Sequence, residues 1–268
     1  MPAPTPFQPK GSVCIVTGGA NGIGLALART LKAAGAAHVA LADLDETALA
    51  EAAVEIGGLT FPIDVADFAA VSDMVEAVEE AAGPVGLFCA NAGIGIADPD
   101  PADASSAPLD AFESCFRVNC IAHIVAAKVM MSRYLRQGGG WFLNTVSAAG
   151  LLSQIGSAPY SVSKHAAIGF AESLAYTGRD SGVGVTALCP QAVRTAMIGE
   201  NPEEELKGGA DVDGILEPEE VAAAALEGLT EGRFLVTPHP HVRGYMQAKA
   251  ADYDRWIGGM AKLRRSVM

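Results

Sequence analysis

Short apolar runs rich in β-branched residues alternate along this chain with longer, alanine-rich stretches whose apolar positions recur at helical spacing. The runs predict seven strands, over residues 13–16, 39–42, 59–62, 87–90, 141–145, 185–189 and 234–236. Most show no polar alternation, as expected of strands covered on both faces. Helices are predicted over residues 23–34, 45–56, 67–82, 109–136, 160–180 and 218–229. In the second, Leu44, Ala48, Leu49, Ala52 and Ile56 make an apolar stripe suited to packing on a sheet. This alternation predicts an α/β fold, a doubly wound, mostly parallel, seven-stranded sheet. No composition break marks a second domain, so residues 1–268 are read as one domain: a core over 11–191, an acidic insertion over 192–216 and a tail over 238–268. With the Pro/Asp-rich stretch 94–108, the insertion and tail stand outside the alternation, and segments of that kind are lids, binding loops or mobile connections.

Composition narrows the function. Half the residues are hydrophobic and 18% are charged, which excludes a disordered chain. A net charge of −13 repels phosphate backbones and anionic lipid surfaces, so neither nucleic acid nor membrane is expected as a partner. No uninterrupted apolar run reaches the roughly 18 residues of a membrane span. The proline-rich N-terminus has neither the basic nor the apolar part of a secretory signal. Cys14, Cys89, Cys115, Cys120 and Cys189 form no CxxC pair, which reads as buried thiols in a reducing compartment; the expectation is a cytoplasmic protein. Five scattered histidines, among them His239 and His241, supply no metal site.

Two constellations carry chemistry. After the first strand, Thr17-Gly18-Gly19-Ala20-Asn21-Gly22-Ile23-Gly24 opens directly into a helix, an arrangement that brings backbone N–H groups and the positive helix end to a pyrophosphate. Asp43 ends the second strand, 19 residues after Gly24, where a carboxylate accepts hydrogen bonds from an adenosine ribose. It would repel a 2′-phosphate, and neither Ala42 nor Leu44 is an arginine that would attract one, so NAD is expected over NADP. Asp43 could equally cap the following helix. The second constellation is Tyr160-Ser161-Val162-Ser163-Lys164, which puts a phenol and an ammonium on one helical face. A neighbouring cation lowers a phenol's pKa and suits it to acid/base work. Ser147 follows the fifth strand, Asn119 lies inside a long apolar helix where a carboxamide needs a reason, and Asn91-Ala92-Gly93 ends the fourth strand.

Taken together, Thr17 to Gly24, Asp43, Asp64-Val65, Asn91-Ala92-Gly93, Asn119, Ser147, Tyr160 with Lys164, and Pro190 with Thr195 resemble the short-chain dehydrogenase/reductase family in its single-domain form. The resemblance implies a Rossmann fold, NAD as cofactor and hydride transfer between a secondary alcohol and its ketone. It implies Tyr160 as general acid/base, Ser147 as the group that polarises the substrate oxygen, Lys164 as ligand of the nicotinamide ribose, and Asn119 as anchor of a relay water. It further implies cofactor contacts at Gly18, Asn21, Gly22, Ile23, Gly24, Asp43, Leu44, Asp64, Val65, Asn91, Ala92, Gly93, Pro190, Val193 and Thr195. A homotetramer or homodimer built on the helices of Asn119 and Tyr160, with Met130 and Met131 at the contact, is implied as well.

Two features depart from the family pattern. Gln191 follows Pro190 where glycine is usual, and its side chain either reaches the substrate or is a solvated turn residue. The tail carries Tyr245, Lys249, Tyr253 and Trp256 near helical spacing, either as a packing face or as a lid on the active-site mouth. Apolar Met197, Ile198, Ile215 and Leu216 bracket the acids Glu200, Glu203, Glu204, Glu205, Asp211 and Asp213, expected on a solvated face. With Ala149, Leu151, Leu152 and Ile155 they predict a greasy pocket for a hydrophobic alcohol or ketone, aromatic, alicyclic or steroid-like. The main rival is a non-catalytic dinucleotide-binding regulator, which has no use for the Asn119, Ser147, Tyr160 and Lys164 set. A sugar-nucleotide epimerase needs a larger C-terminal domain, and a methyltransferase needs no Tyr160–Lys164 pair.

Overall fold

In the computed structural model, which describes residues 4–199 and 213–267, all seven expected strands form. They are β1 (Val13–Thr17), β2 (His38–Asp43), β3 (Thr60–Pro62), β4 (Val85–Ala90), β5 (Gly140–Thr145), β6 (Val183–Leu188) and β7 (Leu235–Val236). All pair in parallel, in the order β3-β2-β1-β4-β5-β6-β7. Between them run α1 (Gly22–Ala33), α2 (Glu46–Ile56), α3 (Phe68–Ala82), α4 (Leu109–Phe116), α5 (Ala122–Gln137), α6 (Ala149–Leu152), α7 (Ala158–Gly178) and α8 (Pro218–Glu231).

Alternate strand residues face opposite layers, which is why the runs are apolar throughout. Val13 and Ile15 of β1 pack with α3, α5 and α7 through Val71, Val75, Val125, Ala167 and Ala171. Cys14 and Val16 face α1, α2 and α8 through Leu27, Leu31, Leu49, Val221 and Ala225. Strand order reverses between β1 and β4, so loops leaving their C-terminal ends part in opposite directions and open a crevice there.

The helix predicted as one piece over 109–136 is continuous to Gln137, but a π-helical turn, Arg117–Ile121, separates α4 from α5. By length and composition the span Leu109–Gln137 could cross a membrane, with a mean hydropathy of 1.3 over an 18-residue window; 56% of that window is buried, as in a core helix. Met130 is fully buried against the sheet and is unavailable for a subunit contact. The tail forms two helices, α9 (His241–Ala251) and α10 (Tyr253–Val267), instead of one stripe. The break falls at Asp252, whose carboxylate accepts from the Arg255 backbone N–H at 2.9 Å and caps α10.

Candidate active site

The glycine turn between β1 and α1 is fixed by close approach. A Cβ on Gly18 would stand 2.9 Å from the Ala92 Cα, and one on Gly24 would overlap the Gly18 carbonyl. Gly18 and Gly22 also have φ of +61° and +51°, in the left-handed region. Thr17, which the sequence reading quoted without a role, ties this turn to the end of β4: its hydroxyl donates to the Cys89 carbonyl and accepts from Asn91 N and Ala92 N at 2.9 and 3.2 Å. Asn91 in turn donates to the Thr17 carbonyl at 3.1 Å and accepts from the Thr145 hydroxyl at 2.9 Å.

Asp43 lines the cleft and also braces the turn, accepting from Ala20 N at 3.1 Å and Leu44 N at 2.8 Å. The N-cap of α2 is Asp45, which accepts from Ala48 N, so the capping role considered for Asp43 belongs to its neighbour. Asp64 accepts from Ala66 N and pairs with Arg117 at 2.8 Å; the guanidinium holds its carboxyl below the usual carboxylate range. That pairing had no sequence signal, since 53 residues separate the partners.

At the other end stand the catalytic candidates. Ser147 is buried, its hydroxyl between the Pro190 carbonyl at 3.4 Å and Ala149 N at 3.1 Å. Lys164 Nζ donates to the Thr145 carbonyl at 3.0 Å and lies 5.6 Å from the Tyr160 ring centre. Burial pushes the Tyr160 phenol up to about 12, opposed by the Ser147 hydroxyl, and pushes the Lys164 ammonium down to about 8. Desolvation dominates the shift of the phenol, and the Ser147 hydroxyl is the group that opposes it.

Asn119 does not line the cleft. Fully buried in the π turn, it accepts from Ile94 N and donates to the Ile94 carbonyl and Ser163 Oγ, each at 2.9 Å. It clamps the chain after β4 to the catalytic helix α7, and the widened turn aims the carboxamide there. The stretch after β4 is held further along too. Asp98, buried and missed by the sequence reading, accepts from Ala158 N through both oxygens, at 3.0 and 3.1 Å, and so caps α7 two residues before Tyr160. Ser157 donates to the Ile96 carbonyl at 2.8 Å.

The glycine turn, Asp43, Asp64, Ser147, Tyr160 and Lys164 border one cleft of about 1840 Å³, with Asn119 and Asp98 behind its wall. Every expected cofactor position lines it: Gly18, Asn21, Gly22, Ile23, Gly24, Asp43, Leu44, Asp64, Val65, Asn91, Ala92, Gly93, Tyr160, Lys164, Pro190, Val193 and Thr195. A Cβ on Gly22 would come 3.0 Å from Thr195 Cγ2, so the bare glycine keeps the phosphate end open. The residues thus fit a dinucleotide.

The substrate end is lined by Ile94, Ile96, Ala149, Leu152, Ile155, Met197 and Ile198, joined by Tyr245, Trp256, Met260 and Leu263 of the tail. The tail therefore both packs and covers: Val242 is buried against Ala148 and Leu152, and Lys249 Nζ holds the Leu151 carbonyl at 2.7 Å. Leu151, Ile215 and Leu216 do not line the cleft; Leu216 packs behind it, its N–H on the Ala192 carbonyl. Asp213 is not on a solvated face: its side chain is 7% exposed and accepts from Tyr245 OH and pairs with His241, both at 3.1 Å. Glu200, Glu203, Glu204, Glu205 and Asp211 lie outside the described residues. Gln191 lines the cleft, its N–H donating to Nδ1 of the buried His239 at 3.1 Å and its side-chain oxygen buried without a partner among the described residues.

A family model described as short chain dehydrogenase matches residues 12–206. The chain is 32% identical to a 1-deoxy-11-beta-hydroxypentalenate dehydrogenase of Streptomyces exfoliatus, over 91% of this chain and 88% of that one. It is 30% identical to a 3beta-hydroxysteroid dehydrogenase 2 of Eggerthella lenta, over 80% and 86%. A solved structure from Burkholderia phymatum, a short chain dehydrogenase/reductase in complex with NAD, superposes with a TM-score of 0.81 at 27% identity, covering 92% of this chain and 96% of that one.

Proposed function

The chain belongs to the short-chain dehydrogenase/reductase family, an oxidoreductase family that binds a nicotinamide dinucleotide, and from that premise we propose that it interconverts a hydrophobic secondary alcohol and its ketone with NAD(H). The observation that carries this reading is that Tyr160, Ser147 and Lys164 border the same cleft as the glycine turn and Asp43. Ser147 holds the substrate oxygen, and Tyr160 takes the alcohol proton during oxidation and returns it during reduction. Lys164, braced by Thr145, faces the ribose end and keeps a positive charge near the phenol. When bound, the dinucleotide accepts or supplies the hydride, and its oxidised ring adds the positive charge that brings the phenol within working range.

NAD is favoured over NADP because Asp43 presents a carboxylate at the adenosine end, where a 2′-phosphate would meet like charge. The apolar lining, together with the hydroxypentalenate and hydroxysteroid dehydrogenases among the relatives, supports an alicyclic or steroid-like substrate. We further propose a homodimer or homotetramer through α4 and α7, which expose Leu109, Phe116, Val162 and Tyr176, and a cytoplasmic location consistent with five buried free thiols.

The test is NADH formation, followed by absorbance, from a panel of alicyclic and steroid secondary alcohols with NAD⁺ and with NADP⁺. Turnover with a preference for NAD⁺ is expected. Tight NADH binding without turnover of any alcohol would instead favour a dinucleotide-binding regulator, and a preference for NADP⁺ would overturn the role given to Asp43.

A further inference from the structure

Among the described residues only two lysines or arginines line the cleft, Lys164 and Arg255. Lys164 is committed to the Thr145 carbonyl in the catalytic group. Arg255 sits in the wall that α10 contributes, beside Trp256 and within one turn of Gly259, both also lining the cleft. Its guanidinium makes no hydrogen bond or ion pair among the described residues; only its backbone N–H is engaged, by the capping carboxylate of Asp252. Arg117 is tied to Asp64, Arg133 to Glu79 and Arg264 to the Ala102 carbonyl; Arg136, Arg179 and Arg265 are unpaired among the described residues but do not line the cleft, so Arg255 alone joins an unpaired guanidinium to the cleft wall. Arg255 and Gly259 are both exposed, and a Cβ on Gly259 would meet nothing within 4 Å, so the guanidinium stands at the solvent-open mouth of the cleft.

An unpaired guanidinium at the mouth of a largely apolar cleft, whose lining there also includes Asp100 and Asp252, is a binding group for an anion, because its planar fork matches a carboxylate with two parallel hydrogen bonds. The setting strengthens the case. The chain carries a net charge of −13 and repels anions in general, so an anionic ligand needs a local cation to enter. We propose that Arg255 binds a carboxylate at the end of the substrate remote from the reacting carbon, so that the substrate is a hydroxy acid or keto acid with a hydrophobic skeleton. This rests on the dehydrogenase reading for the reacting end alone. The carboxylate undergoes no chemistry, and Arg255 sets specificity and orientation.

The experiment reads binding apart from turnover. The NADH complex is titrated calorimetrically with adamantane-1-carboxylate and with the neutral adamantane-1-methanol, using wild type, Arg255→Met and Arg255→Lys. The carboxylate is expected to bind wild type about tenfold or more tightly than the neutral compound, a difference of about 1.4 kcal/mol. Arg255→Met should abolish that preference while leaving the neutral compound's affinity unchanged, and Arg255→Lys should keep part of it. In turnover, a hydroxy acid such as 4-hydroxycyclohexanecarboxylate should show a KM raised about tenfold by Arg255→Met at unchanged kcat, and its methyl ester should not. Equal binding of the two adamantanes by wild type, failure of the carboxylate to bind, or a preference surviving in Arg255→Met would each overturn the proposal. A carboxylate preference that depends on Arg255, in a chain that oxidises no alcohol, would refute the dehydrogenase reading and uphold the anion site.

Discussion

Replacing Asn119 by leucine keeps the volume of the side chain and removes its three hydrogen bonds, to Ile94 N, the Ile94 carbonyl and Ser163 Oγ. Ser163 retains the Tyr160 carbonyl as acceptor, at 2.7 Å, so the loss falls on the two backbone groups of Ile94. Ile94 is half-buried, so each stranded group costs about 1–2 kcal/mol, and the pair about 2–4 kcal/mol. For a chain of this length that lowers Tm by roughly 4–8 °C. The assay is thermal unfolding followed by circular dichroism, with Asn119→Asp as companion; aspartate keeps an acceptor for Ile94 N–H and should lie between the two. A Tm within about 1 °C of wild type would refute the clamp.

Two other perturbations follow from the site. Burial lowers the folded pKa of Lys164 to about 8, from an ordinary value of 10.5. Between those pH values the unfolded chain binds more protons, so this residue's contribution to stability rises with pH, by at most about 1.4 kcal/mol per pH unit. The buried thiols of Cys14 and Cys189, pushed up to about 11 and about 12, act in the opposite sense above pH 9, so the comparison is made against Lys164→Met. Urea unfolding at pH 7.5 and 9.5 should show wild type gaining on the variant at the higher pH; a parallel response would contradict the buried ammonium. Asp98→Ala removes the cap on Ala158 N and should cost about 1–2 kcal/mol in the same assay while raising KM through a loosened start of α7; unchanged values would show that the cap is dispensable.

The sheet was legible because both-face burial writes itself as unbroken apolar runs, and the cofactor end because the glycine turn and Asp43 sit at fixed places in a strand–turn–helix unit. Strand and helix ends were less legible. Tyr160 lies two residues inside α7 because Asp98, 60 residues away, supplies the cap. The π turn around Asn119 leaves no trace in an apolar helical period, so the hydrogen bonds by which its carboxamide joins Ile94 to Ser163 were not legible. The split of the tail at Asp252 was visible in retrospect as an aspartate three residues before Arg255, an N-cap spacing hidden by the aromatic stripe around it. Electrostatics was least legible: the Tyr160–Lys164 spacing correctly places the pair on one face, yet the phenol's pKa depends on burial, which spacing does not contain.

The most direct test of the account concerns the Tyr160 hydroxyl. NADH formation from the best secondary alcohol is measured for wild type and Tyr160→Phe, alongside the Kd for NADH from fluorescence titration. Loss of kcat by about 10³-fold or more, roughly 4 kcal/mol of barrier, with Kd within about threefold, is the predicted result. A variant that keeps kcat within about tenfold of wild type would contradict proton exchange through this phenol.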